Sequence, residues 1–180
     1  MRKDAQERRD RLIAVAADMF EQQGYDVPLE IIADGAGVGR GTLYRNFRDR
    51  SMLVLEVVRR RLDELLAQVE LIADDRAAFR FFLVSIGLLS ALHARGLRSL
   101  EDDPSLKQEW QEFEIRARKQ MAQPLERGRK AGIVRDDLSV DDVSRIAQML
   151  QAVAIDLPLQ QRDTVMSRAV QLLMEGIAKG

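Results

Sequence analysis

The residue types best able to do chemistry lie close together. They are Arg40, Thr42, Tyr44 and Arg45, with Gly41 between the first two and Arg50 a short step beyond. An arginine fork can read a guanine edge bidentately or pair with a phosphate, and Thr and Tyr hydroxyls can donate to phosphate oxygens. Gly41 has no side chain and lets the backbone approach a duplex, while Arg50 offers one more phosphate contact. Leu43 and Phe47 should point the other way and anchor the stretch. The chemistry that fits is recognition of double-stranded DNA. Catalysis fits poorly, because the 180 residues hold no cysteine and one histidine, His93. That removes disulfides, thiolate nucleophiles and Cys/His metal centres together. No enzyme activity, cofactor or metal is expected.

Charge points the same way. A formal net charge of −1 is unlike that of proteins that coat nucleic acid indiscriminately. Residues 35–50 nevertheless hold Arg40, Arg45, Arg48 and Arg50 against Asp49 alone, whereas residues 62–180 hold 16 basic and 19 acidic residues. The N-terminal Arg2, Lys3, Arg8, Arg9 and Arg11 could touch DNA backbone, or could simply be solvated. No apolar run approaches the roughly 18 to 20 residues that span a bilayer, and the charged N-terminus shows no signal-peptide core. A cytoplasmic location is the expectation.

The elements that must position the basic stretch are helical. Apolar spacing follows the helical period and never settles to period two, so the fold class is all-α, with about nine helices. Residues from about 6 to 23 place Leu12, Ile13, Ala16, Met19 and Phe20 on one stripe before the stop at Gly24. Pro28 suits the first turn of a short second helix that turns Ile31 and Ile32 inward and runs to Ala33 or Asp34. Gly35, Gly37, Gly39 and Gly41 are too dense for a helix interior, so a tight turn separates this helix from a third over about 40–46. Asp49 caps a long fourth helix carrying Val54, Val58, Leu62, Leu65, Val69 and Ile72.

After a break at Asp74–Asp75, a strongly apolar helix carries Phe79, Phe82, Leu83, Ile86, Leu89 and Leu92 as far as Gly96. Asp103 and Pro104 read as N-cap and N1 of a helix bearing Leu106, Trp110, Phe113, Ala117, Met121 and Leu125, with Pro124 kinking its last turns. Gly132 ends that helix. Ser139 to Asp142 has the form of a capping box before Val143, Ile146, Ala147, Leu150, Val153 and Leu157, and Pro158 closes the element. The final helix, about 161–178, spaces Val165, Ala169, Leu172, Leu173 and Ile177, with Met166, Val170 and Met174 widening the stripe. Two terminal helices with stripes this wide suggest a helix-on-helix dimer interface, although a large core could also absorb them.

Two short helices joined by a glycine turn and docked on a longer one have the form of a helix-turn-helix, whose second helix enters the major groove N-terminus first. The run Ile32-Ala33, Ala36-Gly37-Val38, Gly41-Thr42-Leu43-Tyr44, Phe47 and Arg50 resembles the DNA-binding signature of the TetR family over about residues 8–58. That resemblance implies a homodimer joined through its last two helices, a palindromic operator, and a C-terminal domain whose small-molecule ligand alters the spacing of the reading heads. In most members binding represses and ligand releases. Three positions depart from the pattern: Pro28 and Gly39 stand where Ser or Thr often caps, and Asn46 where His is common. The expected domains are 1–50 for DNA binding, with the start of helix four, and 51–180 for effector binding and dimerisation.

Phe82, Ile86, Leu89, His93, Trp110, Phe113 and Met121 are the candidates for a pocket taking a small apolar or amphipathic effector. Each is equally the kind of residue that fills a core, and His93 suits an interhelical role. The Asp102–Asp103 and Asp136–Asp137 pairs adjoin helix starts and read as caps or solvated carboxylates. An alternative function keeps DNA binding but has no small-molecule ligand, with a protein partner as regulator.

Overall fold

The computed structural model describes residues 2–101 and 104–177. Every regular element among them is helical: α1 (Arg2–Gln23), α2 (Leu29–Gly35), α3 (Arg40–Asn46), α4 (Arg50–Leu71), α5 (Asp75–Glu101), α6 (Lys107–Lys130), α7 (Val140–Ala154) and α8 (Leu159–Ile177). A 3-10 turn, Pro104–Leu106, precedes α6. The fold is all-α, close to the expected helix count. The proposed caps at Asp102 and Asp103, and the side chains of Arg2, Lys3 and Ile177, lie outside the described residues.

Local chemistry explains most of the boundaries. Gly24 and Gly132 take the positive φ that ends a helix, at 87° and 66°. The α4 start is capped by Asp49, whose Oδ1 accepts from the Met52 N–H at 2.9 Å. The α5 start is capped by Asp74, whose Oδ1 accepts from the Ala77 N–H at 2.6 Å. At α7, Ser139 Oγ accepts from the Asp142 N–H at 3.1 Å and the Asp142 carboxylate accepts from the Ser139 N–H at 2.9 Å, completing the capping box.

The chain forms two compact units. The first comprises Met1–Arg61 with Arg95–Trp110. Its core is built from Leu12, Ala16, Phe20, Ile32, Leu43, Phe47, Leu53 and Val54. Gly96 belongs here, and it does not end α5 as expected, since the helix continues to Glu101. A Cβ at Gly96 would lie 2.7 Å from Val54 Cγ1 and 2.8 Å from Tyr25 Cε2. This glycine permits close approach and tolerates its helical cost.

The second unit comprises Leu62–Ala94 with Gln111–Gly180. Phe79, Phe82, Leu83, Leu125, Val143, Leu150, Met166 and Val170 form its interior. α6 lies along the last turns of α4. Arg116 pairs with Asp63 at 2.8 Å, Gln120 donates to Asp63 at 2.6 Å and Gln123 donates to Glu70 at 2.6 Å. Arg127 then donates to the carbonyls of Val69 (2.9 Å) and Ile72 (2.6 Å), satisfying acceptors that the end of α4 leaves open. α6 runs through Pro124 and on to Lys130, and Pro124 can donate nothing to the Gln120 carbonyl.

Several facing expectations need correction. Ile31 is 45% exposed beside a fully buried Ile32, because adjacent residues about 100° apart cannot share one face of a two-turn helix. Pro28 stands at the N-cap of α2 and not inside its first turn. α7 stops at Ala154, short of Leu157, and Val153 is exposed. In α8 it is Met166, Val170 and Met174 that are buried, while Leu172 is 52% exposed. The stripe expected to be secondary is the one that fills the core. One apolar segment, Asp75–Ala94, is long and apolar enough by composition to cross a membrane, contrary to the expectation that no run approaches that length. In the fold it is the core helix of the second unit, with Phe79, Phe82 and Leu83 at or below 1% exposure.

Candidate nucleic-acid interface

The seven residues of α3 are too few to be helical alone, so packing must hold the helix. Leu43 and Phe47, each 1% exposed, bury its inner side. The preceding turn is fixed by Gly37, at φ 65°, and by Val38, whose N–H donates to the Ala33 carbonyl at 3.0 Å. Gly35 brings the end of α2 so close to α1 that a Cβ would meet Met19 Cε at 2.7 Å. Glycine at 37 is therefore conformational, and at 35 it is steric.

The outer side of α3 presents Arg40, Gly41, Tyr44 and Arg45, all exposed, with Thr42 half-buried. Arg45 folds along its own helix: Nε donates to the Gly41 carbonyl at 2.9 Å and Nη2 to Thr42 Oγ1 at 3.2 Å. Asn46 Nδ2 donates to the Thr42 carbonyl at 2.7 Å. Arg40 pairs with Glu30 of α2 at 3.5 Å, with 73% of the arginine side chain exposed. Exposed pairs of this kind are worth about 0–1 kcal/mol and separate readily. Neither α2 nor α3 has a side-chain cap, and the N–H groups of Ile31 and Thr42 turn to the Pro28 and Gly39 carbonyls at 3.1 and 2.8 Å.

Arg50 differs from the others. It is half-buried, donates from Nη1 to the Tyr25 carbonyl at 2.5 Å, and lies 5.3 Å from the Tyr25 ring centroid. Its fork ties the start of α4 to the loop before α2. One participant, Glu30, the acidic partner of Arg40, escaped the sequence reading. Arg9, considered there as a contact to DNA backbone, donates to the Asn46 carbonyl at 3.1 Å. No local pattern marks either partnership, since each residue meets its partner only through the fold.

The pocket candidates divide. Phe82, Ile86, Leu89 and His93 on α5, and Phe113 and Met121 on α6, belong to the second unit, whereas Trp110 belongs to the first. Phe82, Ile86, Phe113 and Met121 are buried, and His93 is 1% exposed. An open groove of about 570 Å³ in the second unit is bordered by Asp74, Arg76, Ala77, Arg80, Gln171, Met174 and Glu175, and none of the candidates lines it. Among the described residues, no group of three His, Asp or Glu is placed to hold a metal ion.

Comparison with known proteins places this geometry. Residues 12–57 match the model of the tetR family of bacterial regulatory proteins, and residues 74–179 match the C-terminal domain of SbtR-like transcriptional regulators. A helix-turn-helix transcriptional regulator of Staphylococcus aureus is 41% identical over 76 residues, which span 42% of this chain and 41% of the relative. The crystal structure of a TetR transcription regulatory protein from Mycobacterium vanbaalenii superposes with a TM-score of 0.68 at 26% identity, covering 99% of each chain. A TetR regulator from Streptomyces coelicolor shares the fold, with a TM-score of 0.70 at 22% identity, covering 94% of this chain and 98% of that one. With one model covering its helix-turn-helix and another more than half its length, the chain belongs to the TetR family of DNA-binding transcriptional regulators.

Proposed function

We propose that this regulator is a homodimeric repressor that reads a palindromic operator through α3 and leaves it when a small apolar or amphipathic effector binds the second unit. The observation that carries the reading is the two-sidedness of α3. Leu43 and Phe47 are 1% exposed on its inner side, while Arg40, Gly41, Tyr44 and Arg45 stand outward. Arg40 and Arg45 would supply base-edge and phosphate contacts, Thr42 and Tyr44 hydroxyl contacts, and Gly41 the close backbone approach. Arg50 would add a phosphate contact through the donors that Tyr25 leaves free. Residues 1–50 serve reading and residues 51–180 serve effector binding and dimerisation.

Dimerisation through α7 and α8 is supported by the apolar side chains they leave outward: Met149 (58% exposed), Val153 (43%), Leu159 (42%) and Leu172 (52%). Two copies so joined would set two α3 helices on one side of the duplex, roughly one helical turn, or 34–36 Å, apart. The effector would be held among Phe82, Ile86, Phe113 and Met121, with the His93 imidazole orienting it. Release follows if the effector binds better to a form whose helices no longer match successive grooves. The cytoplasm is the compartment such a role requires.

The alternative, a dimeric DNA-binding factor answering to a protein partner, gains from the near-complete burial of Phe82 and Leu83, which leaves them little free surface for a ligand. Footprinting on fragments enriched by selection with the protein tests the main reading, which expects a two-fold symmetric site. A Leu172→Glu variant should become monomeric by light scattering and lose that site. An asymmetric footprint, or a Leu172→Glu dimer that binds normally, would refute the arrangement. Thermal-shift screening across small-molecule classes separates effector from partner control.

A further inference from the structure

A polar chain in the first unit runs from the end of α3 to the first turn of α6. The Asn46 carbonyl accepts from Arg9 Nη1 at 3.1 Å, and the same guanidinium lies 4.6 Å from the Phe47 ring centroid. Arg9 Nη2 meets Glu56 Oε2 at 3.1 Å. The other oxygen of Glu56 accepts from Arg59 Nη1 at 2.7 Å, and Arg59 Nη2 donates to the Glu109 carbonyl at 3.3 Å. These side chains are largely withdrawn from water, with 28% of Arg9, 19% of Glu56 and 23% of Arg59 exposed.

One carboxylate thus uses each of its oxygens on a different guanidinium, and each guanidinium reaches a main-chain carbonyl. Charge-assisted bonds in a partly desolvated setting are stronger than exposed pairs and polarise one another. At the α3 end the need is plain. A seven-residue helix leaves its last carbonyls without internal partners, and a cation there also complements the helix dipole. At the other end, the Glu109 carbonyl in the opening turn of α6 steadies Arg59 against Glu56, and Glu56 in turn orients Arg9.

We infer that Arg9, Glu56 and Arg59 form a positioning chain that seats the reading helix α3. This rests on the proposed role of α3 in DNA reading. Arg59 acts through its neighbours and touches no DNA in this arrangement. It distinguishes the chain from a phosphate contact made by Arg9 directly.

The test uses the full-length protein, a DNA fragment selected by the wild type, and four variants: Arg9→Met, Arg59→Met, the double variant and Arg59→Lys. Binding is titrated across salt concentrations, and thermal midpoints are recorded alongside. Arg59→Met should lower affinity about fivefold with the salt slope unchanged. Arg9→Met should do at least as much, and the double variant no more than Arg9→Met alone, because the chain is already cut. Arg59→Lys, which keeps the charge but cannot fork to both partners, should fall between Arg59→Met and wild type.

Wild-type affinity in Arg59→Met, or effects that simply multiply in the double variant, would overturn the inference. So would a salt slope reduced by about one in Arg9→Met with no effect at Arg59, which would make Arg9 a phosphate contact. Should Arg9→Met fail to fold, the Arg59 pair still decides. Arg45→Ala is the separate control. If it binds normally, the reading of α3 fails whatever the Arg59 variants do.

Discussion

The helices of the reading head and the longer helices begin in different ways. α2 and α3 start from Pro28 and Gly39, neither of which offers a side-chain cap. α4, α5 and α7 start from Asp49, Asp74 and Ser139, each of which accepts a backbone N–H of the first turn. These three long helices therefore each meet an N–H of the first turn with a local side chain. The short ones depend on burial of Ile32, Leu43 and Phe47, and on Arg9 at the far end of α3. On the proposed reading, stability and recognition fall to opposite sides of one short helix.

That contrast can be broken most severely from the inside. Leu43→Ala should destabilise the first unit by about 2–5 kcal/mol, through lost transfer energy and the cavity left behind. Chemical denaturation reads this, and a loss well under 1 kcal/mol would mean that packing does not hold α3. Arg45→Ala should leave the thermal midpoint nearly unchanged yet weaken operator binding by about 1–3 kcal/mol, measured by anisotropy at fixed salt. Equal losses in folding and binding would erase the division between inner and outer side.

The caps are smaller levers. Ser139→Ala should cost about 1 kcal/mol of stability with no change in intrinsic DNA contacts. Gly39→Ser should stabilise by only a few tenths of a kcal/mol, and its gain should appear mainly as tighter DNA binding if the new hydroxyl reaches a phosphate. The capping box also has a pH signature. The Ser139 hydroxyl, the Ser139 backbone N–H and then Arg145 hold the Asp142 carboxylate below its ordinary range. Because the folded value is the lower one, this contribution is present above about pH 4 and fades as pH falls through the folded value. Acid denaturation of wild type against Ser139→Ala should show the gap between them narrowing toward low pH, and a constant gap would count against the reading.

The helix-turn-helix was legible because its signals are local. Gly24 and Gly37 adopt the positive φ that only glycine takes without strain, and Leu43 and Phe47 are buried four residues apart on one side. The capping box at Ser139 was legible for the same reason, since its partners are three residues apart. Facing was harder. Apolar residues cover so much of α8 that periodicity admits two stripes, and only packing against the rest of the second unit selects Met166, Val170 and Met174 over Leu172. Gly87 shows the same limit. No local pattern marks it, yet a Cβ there would meet Leu150 Cβ and Met166 Sδ, each at 2.8 Å.

Sequence alone determined the helical class, the turn that sets α3, the residues on its outer side and the family to which they belong. These depend on backbone conformation and on spacings of three and four residues, which a linear pattern carries directly. The tertiary structure decided that Gly96 is a contact and not a stop, that Arg50 turns toward Tyr25, and that Arg9 reaches the end of α3 from 37 residues away. Long flexible side chains choose partners among whatever the fold brings within reach, and no local spacing encodes that choice.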